Sequence, residues 1–251
     1  MILVTNDDGI DSEGLLKLKQ AVERVDAVVV IAPNRNWTAA GHTKTLDRPL
    51  RVAEVKLADG TPAYSSDGTP SDCVALAMLG FAAEKPRLVV SGINKGPNLA
   101  DDITYSGTVA AAMEGVVWGV PAIAVSLADF YQWDFDYAAD FTARLASSAE
   151  LHGLSGAVLL NVNVPAVPRD EIAGVEVTRL GKRIYRDQLV KRTDPLGRDY
   201  YWIGGDVPSG VEERGTDIWA VTRNAVSVTP ILMDLTNHAL LDEVKGWNLQ
   251  P

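Results

Sequence analysis

Sulfur chemistry is nearly absent from this chain of 251 residues. It has one cysteine, Cys73, so no internal disulfide can form, and a reducing compartment is expected. Histidine is almost as scarce. His42, His152 and His238 are the only three, and none stands in His-x-x-x-His spacing, which disfavours a zinc hydrolase. Basic residues are outnumbered 23 to 33, giving a net charge of −10; a broad basic patch for DNA or RNA polymers is therefore not expected. No apolar run reaches 18 residues and the N-terminus carries no basic leader, so the reading is a cytoplasmic protein that does not enter membranes. Neither a Gly-x-Ser-x-Gly elbow nor a Walker A loop occurs.

What is present is ordinary globular material, 47% hydrophobic and 22% charged. A chain this long can bury roughly 70–75% of its unfolded surface without staples. Short apolar runs alternate with helical patterns over the first two-thirds, predicting a Rossmann-like α/β fold with a mainly parallel sheet flanked by helices. Ile2–Val4 reads as a buried strand. Ser12 then starts a helix whose Leu15, Leu18, Val22 and Val25 share a face. Ala27–Ala32 is a second strand and 43–66 adds antiparallel edge strands. Thr69-Pro70 opens a helix with Cys73, Leu76, Ala77 and Gly80 on one face. Leu88–Ser91 is a third strand, Thr108–Trp118 a helix, and Val120–Leu127 and Ala157–Val164 are further strands around a helix at Tyr137–Leu151.

Beyond about residue 180 the character changes. Lys182–Arg192 is charged and extended, Pro195-Leu196-Gly197-Arg198 forms a turn, and Tyr200–Ile203 returns. This predicts an extended C-terminal β-hairpin arm, too thin to bury its own face and expected to pack on another subunit. A further strand is expected at Ala225–Thr229 and a short polar helix near His238–Val244. The chain is read as a single domain over 1–251, with an α/β catalytic core over about 1–180 and an oligomerisation arm and C-terminal segment over about 181–251.

Ligands of open parallel sheets bind outside the carboxyl ends of the strands. Three polar loops leave such ends here: Asn6–Gly9, Asn34–His42 and Asn94–Thr108. Asp7 and Asp8 repel one another unless one is protonated or a cation lies between them. All-oxygen donors suit Mg²⁺ or Mn²⁺; a turn or helix cap is the alternative role for the pair. Asn94 can add an amide oxygen, and Asn98 can donate to a phosphate. Ser106, Gly107 and Thr108 precede a helix, where hydroxyls, free N–H groups and the helix dipole favour an anion, although capping alone also explains them. Cys73 is expected to be a buried small residue. His42 is read either as a group near substrate or as a satisfied loop histidine, and His152 and His238 as surface residues.

These motifs resemble the SurE family of metal-dependent 5′/3′-nucleotidases. The resemblance runs from Val4-Thr5-Asn6-Asp7-Asp8-Gly9-Ile10 through Ala40-Gly41-His42 and Gly68-Thr69-Pro70-Ser71-Asp72-Cys73-Val74. It continues in Ser91-Gly92-Ile93-Asn94-x-Gly96-x-Asn98 and Tyr105-Ser106-Gly107-Thr108-Val109-Ala110-Ala111. Asn161-Val162-Asn163-Val164-Pro165, Gly215-Thr216-Asp217 and Val226-Ser227-Val228-Thr229-Pro230 complete it.

The resemblance implies one divalent ion per subunit, Mg²⁺ or Mn²⁺, on Asp7, Asp8, Asn94 and a hydroxyl from the loop after the second strand. The family has serine at that last position and this chain has Thr38. Ala100 stands where the family often has glycine. Asn98, Ser106, Gly107 and Thr108 would cradle the phosphate of a nucleoside monophosphate. The implied enzyme is a 5′-nucleotidase, a phosphomonoesterase, assembled as a homodimer or homotetramer through the arm. Its chemistry is expected to be attack by a metal-activated water, with Asp7 or Asp8 orienting or deprotonating it. A phosphoaspartate on either residue is the competing route. Two non-enzymatic readings compete with it: a Mg²⁺-binding receiver module, which needs an aspartate where Asn94 stands, and a non-catalytic nucleotide-binding protein.

Overall fold

The computed structural model describes residues 1–131, 134–151, 158–205 and 209–249. Its main sheet starts from Ile2–Thr5 (β1), four consecutive buried residues. An apolar run of this kind suits a strand covered on both faces. Helix α1 (Glu13–Val22) follows, with Leu15, Leu18 and Val22 buried. Val25 lies past its end yet still packs on the core. Ser12 holds the N-cap position with extended backbone but makes no side-chain capping bond. Thr69 does cap α2 (Pro70–Leu76), accepting from the Asp72 N–H while Asp72 accepts from the Thr69 N–H. That helix is shorter than the apolar spacing predicts. It passes into one π turn at Ala77–Phe81, where Gly80 has φ +102° and leaves the helical region.

The remaining strands are β2 (Val28–Pro33), β3 (Val52–Lys56), β4 (Pro62–Ser66), β5 (Leu88–Lys95), β6 (Ala122–Leu127), β7 (Leu159–Val164), β8 (Gly174–Val177), β9 (Arg183–Ile184), β10 (Asp187–Thr193), β11 (Asp199–Gly205), β12 (Ser209–Gly210) and β13 (Ala225–Ile231). Nine of them form one sheet in the order β3-β4-β2-β1-β5-β6-β7-β13-β8. From β4 to β7 all neighbours are parallel. β3 pairs antiparallel with β4 at one edge, as the 43–66 pattern predicts. At the other edge β13 runs antiparallel to β7 and parallel to β8. The sequence reading anticipates β13 as a strand but not its place between β7 and β8. Ala157, the expected start of β7, lies outside the described residues, as does His152.

Side chains alternate across the sheet. Ile2, Val4, Val90 and Val125 face α1 and α4 (Asp136–Leu151), while Leu3, Val89 and Ala124 face α2 and α3 (Gly107–Val117). Two helix layers thus cover the central strands, and the loops leaving β1, β2 and β5 meet at one edge because these strands are neighbours. Beyond the sheet, β10 and β11 form a separate two-stranded hairpin, with Leu189 opposite Ile203 and Val190 opposite Trp202. Leu189, Trp202 and Ile203 are 69%, 64% and 80% exposed. Helix α5 (Asp217–Thr222) precedes β13, and a 3₁₀ turn at His238–Leu240 leads into α6 (Leu241–Lys245). No helix among the described residues is long and apolar enough to cross a membrane.

The α1 layer approaches the sheet closely at Gly14, where any Cβ would overlap the Ile93 carbonyl. Backbone cannot swing aside as a side-chain tip can. Gly14→Ala is expected to cost about 2–4 kcal/mol of stability, read as a lower urea midpoint with an unchanged slope.

Candidate active site

The first site loop is built by its own side chains. The Asn6 amide donates to the Gly9 carbonyl at 3.0 Å, and its Oδ1 accepts from the Gly9 N–H at 3.2 Å. This closes a tight turn, with Gly9 at φ +102°, and turns Asp7 and Asp8 outward from the strand end. Asp7 is nonetheless only 3% exposed. The start of α3 stands directly against it: a Cβ on Gly107 would sit 2.7 Å from the Asp7 Cβ and 2.9 Å from its Oδ2. Thr108, fully buried, donates its hydroxyl to Asp7 Oδ1.

Burial pushes the Asp7 carboxyl up to about 6; the Thr108 hydroxyl pulls against that shift and the charge of Asp8 adds to it. Asp8 is also raised by burial, against the Lys95 N–H that donates to its Oδ2 at 3.2 Å. Two neighbouring carboxylates short of water form a site that favours a cation.

The second loop brings Thr38 to the same cleft. Its hydroxyl donates to Asn36 Oδ1 at 2.5 Å and its N–H to the same oxygen at 2.6 Å. With its hydrogen directed at Asn36, the Thr38 oxygen keeps its lone pairs for another partner. Asn36 also reaches toward Asp8 Oδ1, at 3.5 Å, and the Asp7 carbonyl accepts the Trp37 N–H at 2.8 Å. From the third loop, Asn94 donates its amide N–H to the Gly96 carbonyl at 2.8 Å, which commits the amide nitrogen and orients the Oδ1.

Asp7, Thr38, Asn94, Asn98 and Ser106 line one open cleft of about 260 Å³. Gly107 and Thr108 lie behind Asp7 and Asp8 lies beside it, all three outside the lining. Among the described residues no three His, Cys, Asp or Glu side chains gather into a metal-holding group. A hard cation here would therefore rest on two carboxylates supplemented by amide and hydroxyl oxygens. That donor set fits Mg²⁺ or Mn²⁺ and not a soft metal.

Asn98 is locked by four bonds. Its N–H donates to Asn163 Oδ1 at 2.8 Å and its amide to Ser126 Oγ at 2.7 Å. Its carbonyl accepts from the Asn161 and Asn163 amides, each at 2.9 Å. Ser106 caps α3, accepting from the Val109 N–H at 3.1 Å, and keeps a place in the cleft lining. Between these two residues the loop makes a 3₁₀ turn at Ala100–Thr104. Asp102 there is gripped by Arg183 Nε at 2.6 Å and by the Tyr185 hydroxyl at 2.7 Å. Ala100, at φ 52°, donates its N–H to Asp217 Oδ2 at 2.7 Å, and Asp217 Oδ1 also accepts from the Gly181 N–H at 2.8 Å.

Sequence reasoning missed Asn36, Asp102, Asn163, Arg183 and Asp217 as parts of this region. Arg183 and Asp102 are far apart in the chain, and a charged stretch gives no sign of which charge it will meet. Asn161, Asn163 and Asp217 do stand within the later family motifs, which is the signal that could have found them.

The remaining candidates have other partners. His42 Nε2 sits 2.9 Å from Glu114 Oε2, beside Lys44 Nζ at 2.6 Å from Oε1 and the Trp118 indole N–H at 2.6 Å from the same oxygen. Burial raises the Glu114 carboxyl, but the bonds from His42, Lys44 and Trp118 outweigh it and leave the group lowered. His42 thus ties its loop to the middle of α3. Cys73 is fully buried, and burial pushes its thiol far up, so it is no nucleophile. His238 pairs with Asp234 at 2.6 Å on the surface.

Comparison with known proteins places the chain in a family. Residues 2–187 match the sequence profile described as Survival protein SurE. The 5′-nucleotidase SurE of Herpetosiphon aurantiacus is 55% identical over 238 residues, covering 94% of this chain and 93% of that protein. The 5′-nucleotidase SurE of Chloroflexus aggregans is 53% identical over 248 residues, 98% of each. The crystal structure of SurE protein from Aquifex aeolicus superposes with a TM-score of 0.82 at 40% identity, covering 97% of this chain and 98% of that one. With a profile match over residues 2–187 and relatives more than half identical along nearly the whole length, the chain belongs to the SurE family.

Proposed function

We propose that this protein is a metal-dependent phosphomonoesterase that hydrolyses nucleoside monophosphates to nucleosides and phosphate. The observation that carries the reading is the buried Asp7, flanked by the partly buried Asp8, lining a cleft with Asn94, Thr38, Asn98 and Ser106. Relatives of near-equal length that are named 5′-nucleotidases support it. Asp7, Asp8, Asn94 and Thr38 would hold the ion. When bound, Mg²⁺ or Mn²⁺ supplies Lewis-acid polarisation of a phosphoryl oxygen and a more acidic water.

The chain's own groups do the rest. Asp8, the more exposed carboxylate, is placed to orient the attacking water and take its proton. Asp7, pinned by Thr108, stays fixed through the reaction and costs no reorganisation. Ser106 and the Asn98 amide, held in place by Ser126 and Asn163, position the phosphate. Water attacks phosphorus directly, the P–O bond to the ribose breaks, and the nucleoside oxygen leaves with the proton that Asp8 took from the water, which restores the carboxylate. The single Cys73 agrees with a cytoplasmic setting. The exposed apolar β10–β11 hairpin supports a homodimer or homotetramer built through the arm, because a lone two-stranded ribbon cannot cover such side chains.

The test is phosphate release from a panel of nucleoside 5′- and 3′-monophosphates with Mn²⁺ or Mg²⁺ and with chelator. Wild type should be active only with metal, and Asp8→Asn should lose at least about 100-fold in kcat. Chelator-insensitive turnover, or a fully active Asp8→Asn, overturns the reading.

Stability should expose the cation requirement separately. Asp7 titrates near 6 in the fold against 3.8 in the unfolded chain. Its contribution is therefore intact below 3.8 and is lost as pH rises through 6. Chelator-treated Asp7→Asn should accordingly be about 1–3 kcal/mol more stable than chelator-treated wild type at pH about 7.5. Mn²⁺ should raise the melting temperature of wild type only.

For the arm, Leu189→Asp with Ile203→Asp puts two charges side by side on one face of the hairpin. Sedimentation should then show a smaller assembly than wild type.

A further inference from the structure

The cleft is larger than a phosphate requires, and two aromatic rings stand in its wall among Lys95, Pro97, Asp102 and Arg183. Tyr105 and Phe130 both line it, and they are 61% and 44% exposed. Neither belongs to a buried apolar cluster, so core packing does not explain either ring.

Tyr105 stands on fixed backbone, and Phe130 packs on a fixed glycine. The Tyr105 carbonyl accepts the Gly41 N–H at 2.8 Å, and its N–H donates to the Asp102 carbonyl at 3.0 Å. Asp102 is itself held by Arg183 and Tyr185. Phe130 lies over Gly96, where a Cβ would come within 3.0 Å of its Cε1, and the Gly96 N–H donates to the Leu127 carbonyl at 3.1 Å. Glycine is what lets the ring come this close to the chain there. Tyr105 directly precedes Ser106, so one aromatic ring is one residue away from the phosphate end of the cleft.

We infer that Tyr105 and Phe130 form the nucleobase subsite, taking the base by stacking once the phosphate is seated beside Asp7 and Ser106. The inference rests on the nucleotidase reading above and specifies its substrate recognition. Every base presents a π face, so stacking binds bases broadly, with preference for the larger purines. The rings contact substrate but not the reacting atoms, so they set KM more than kcat.

The experiment compares kcat/KM for AMP and CMP with that for ribose 5-phosphate, which carries the same phosphate and sugar without a base. It uses full-length protein with Mn²⁺. Wild type should prefer the nucleotides. In Tyr105→Ala and in Phe130→Ala the ratio of AMP to ribose 5-phosphate should fall about tenfold, mostly through KM for AMP. Tyr105→Phe, which keeps the ring, should keep the ratio. An unchanged ratio in both alanine variants overturns the inference, as does a loss equal for AMP and ribose 5-phosphate. A wild type that hydrolyses ribose 5-phosphate as well as AMP overturns the base subsite while the phosphatase reading stands. A wild type that releases phosphate from none of the three refutes the nucleotidase reading, and the subsite with it.

Discussion

Everything at the site depends on one carboxylate being kept from water. Asp7 ends β1, the start of α3 closes over it, and the Thr108 hydroxyl holds one of its oxygens. A buried acid beside a second acid is an unfavourable arrangement for an isolated chain. It lasts because the sheet and two helix layers fix the backbone on both sides. The cost is taken from the stability of the fold, and a cation bound there, as proposed, would offset it. Gly107 is part of the same constraint, since any side chain there would push α3 off Asp7.

From this anchor the other loops take their places in order. β1 lies between β2 and β5, so their loops arrive from either side of Asp7. Each is locked by short polar bonds of its own. Asn36 gathers Thr38 toward Asp8, Asn94 is turned by Gly96, and Asn98 is held by Ser126, Asn161 and Asn163. His42 and Lys44 on Glu114 tie the second loop to α3 at a distance from the chemistry. Preorganised dipoles of this kind need no rearrangement when charge develops on a phosphate.

Much of this was legible before any coordinates. The apolar runs at Ile2–Val4, Ala27–Ala32 and Leu88–Ser91 mark parallel strands because strands buried on both faces are apolar throughout, and the polar loops after them mark the site. What periodicity cannot convey is partnership. It gives Thr108 as a helix start but not its bond to Asp7, and it gives Arg183 as a charge but not its ion pair with Asp102. The Cys73–Gly80 spacing reads as one continuous helix, yet Gly80 lets the backbone turn out of it through a π turn. The strand at Ala225–Thr229 reads clearly, two residues short of its observed end at Ile231, but its place is a long-range choice made by the sheet edge.

That place bears on how the chain is assembled. In the main sheet β8 has β13 as its neighbour, and the whole hairpin excursion lies between Val177 and Ala225. A ribosome releases the N-terminal part of a chain first. The strands up to β7 can therefore pair as they emerge, while β8 waits unpaired until the arm has been synthesised. The growing protein exposes its free β7 edge during that interval, and closure of the sheet becomes the last long-range event of folding. The arm is made before the core it projects from is finished.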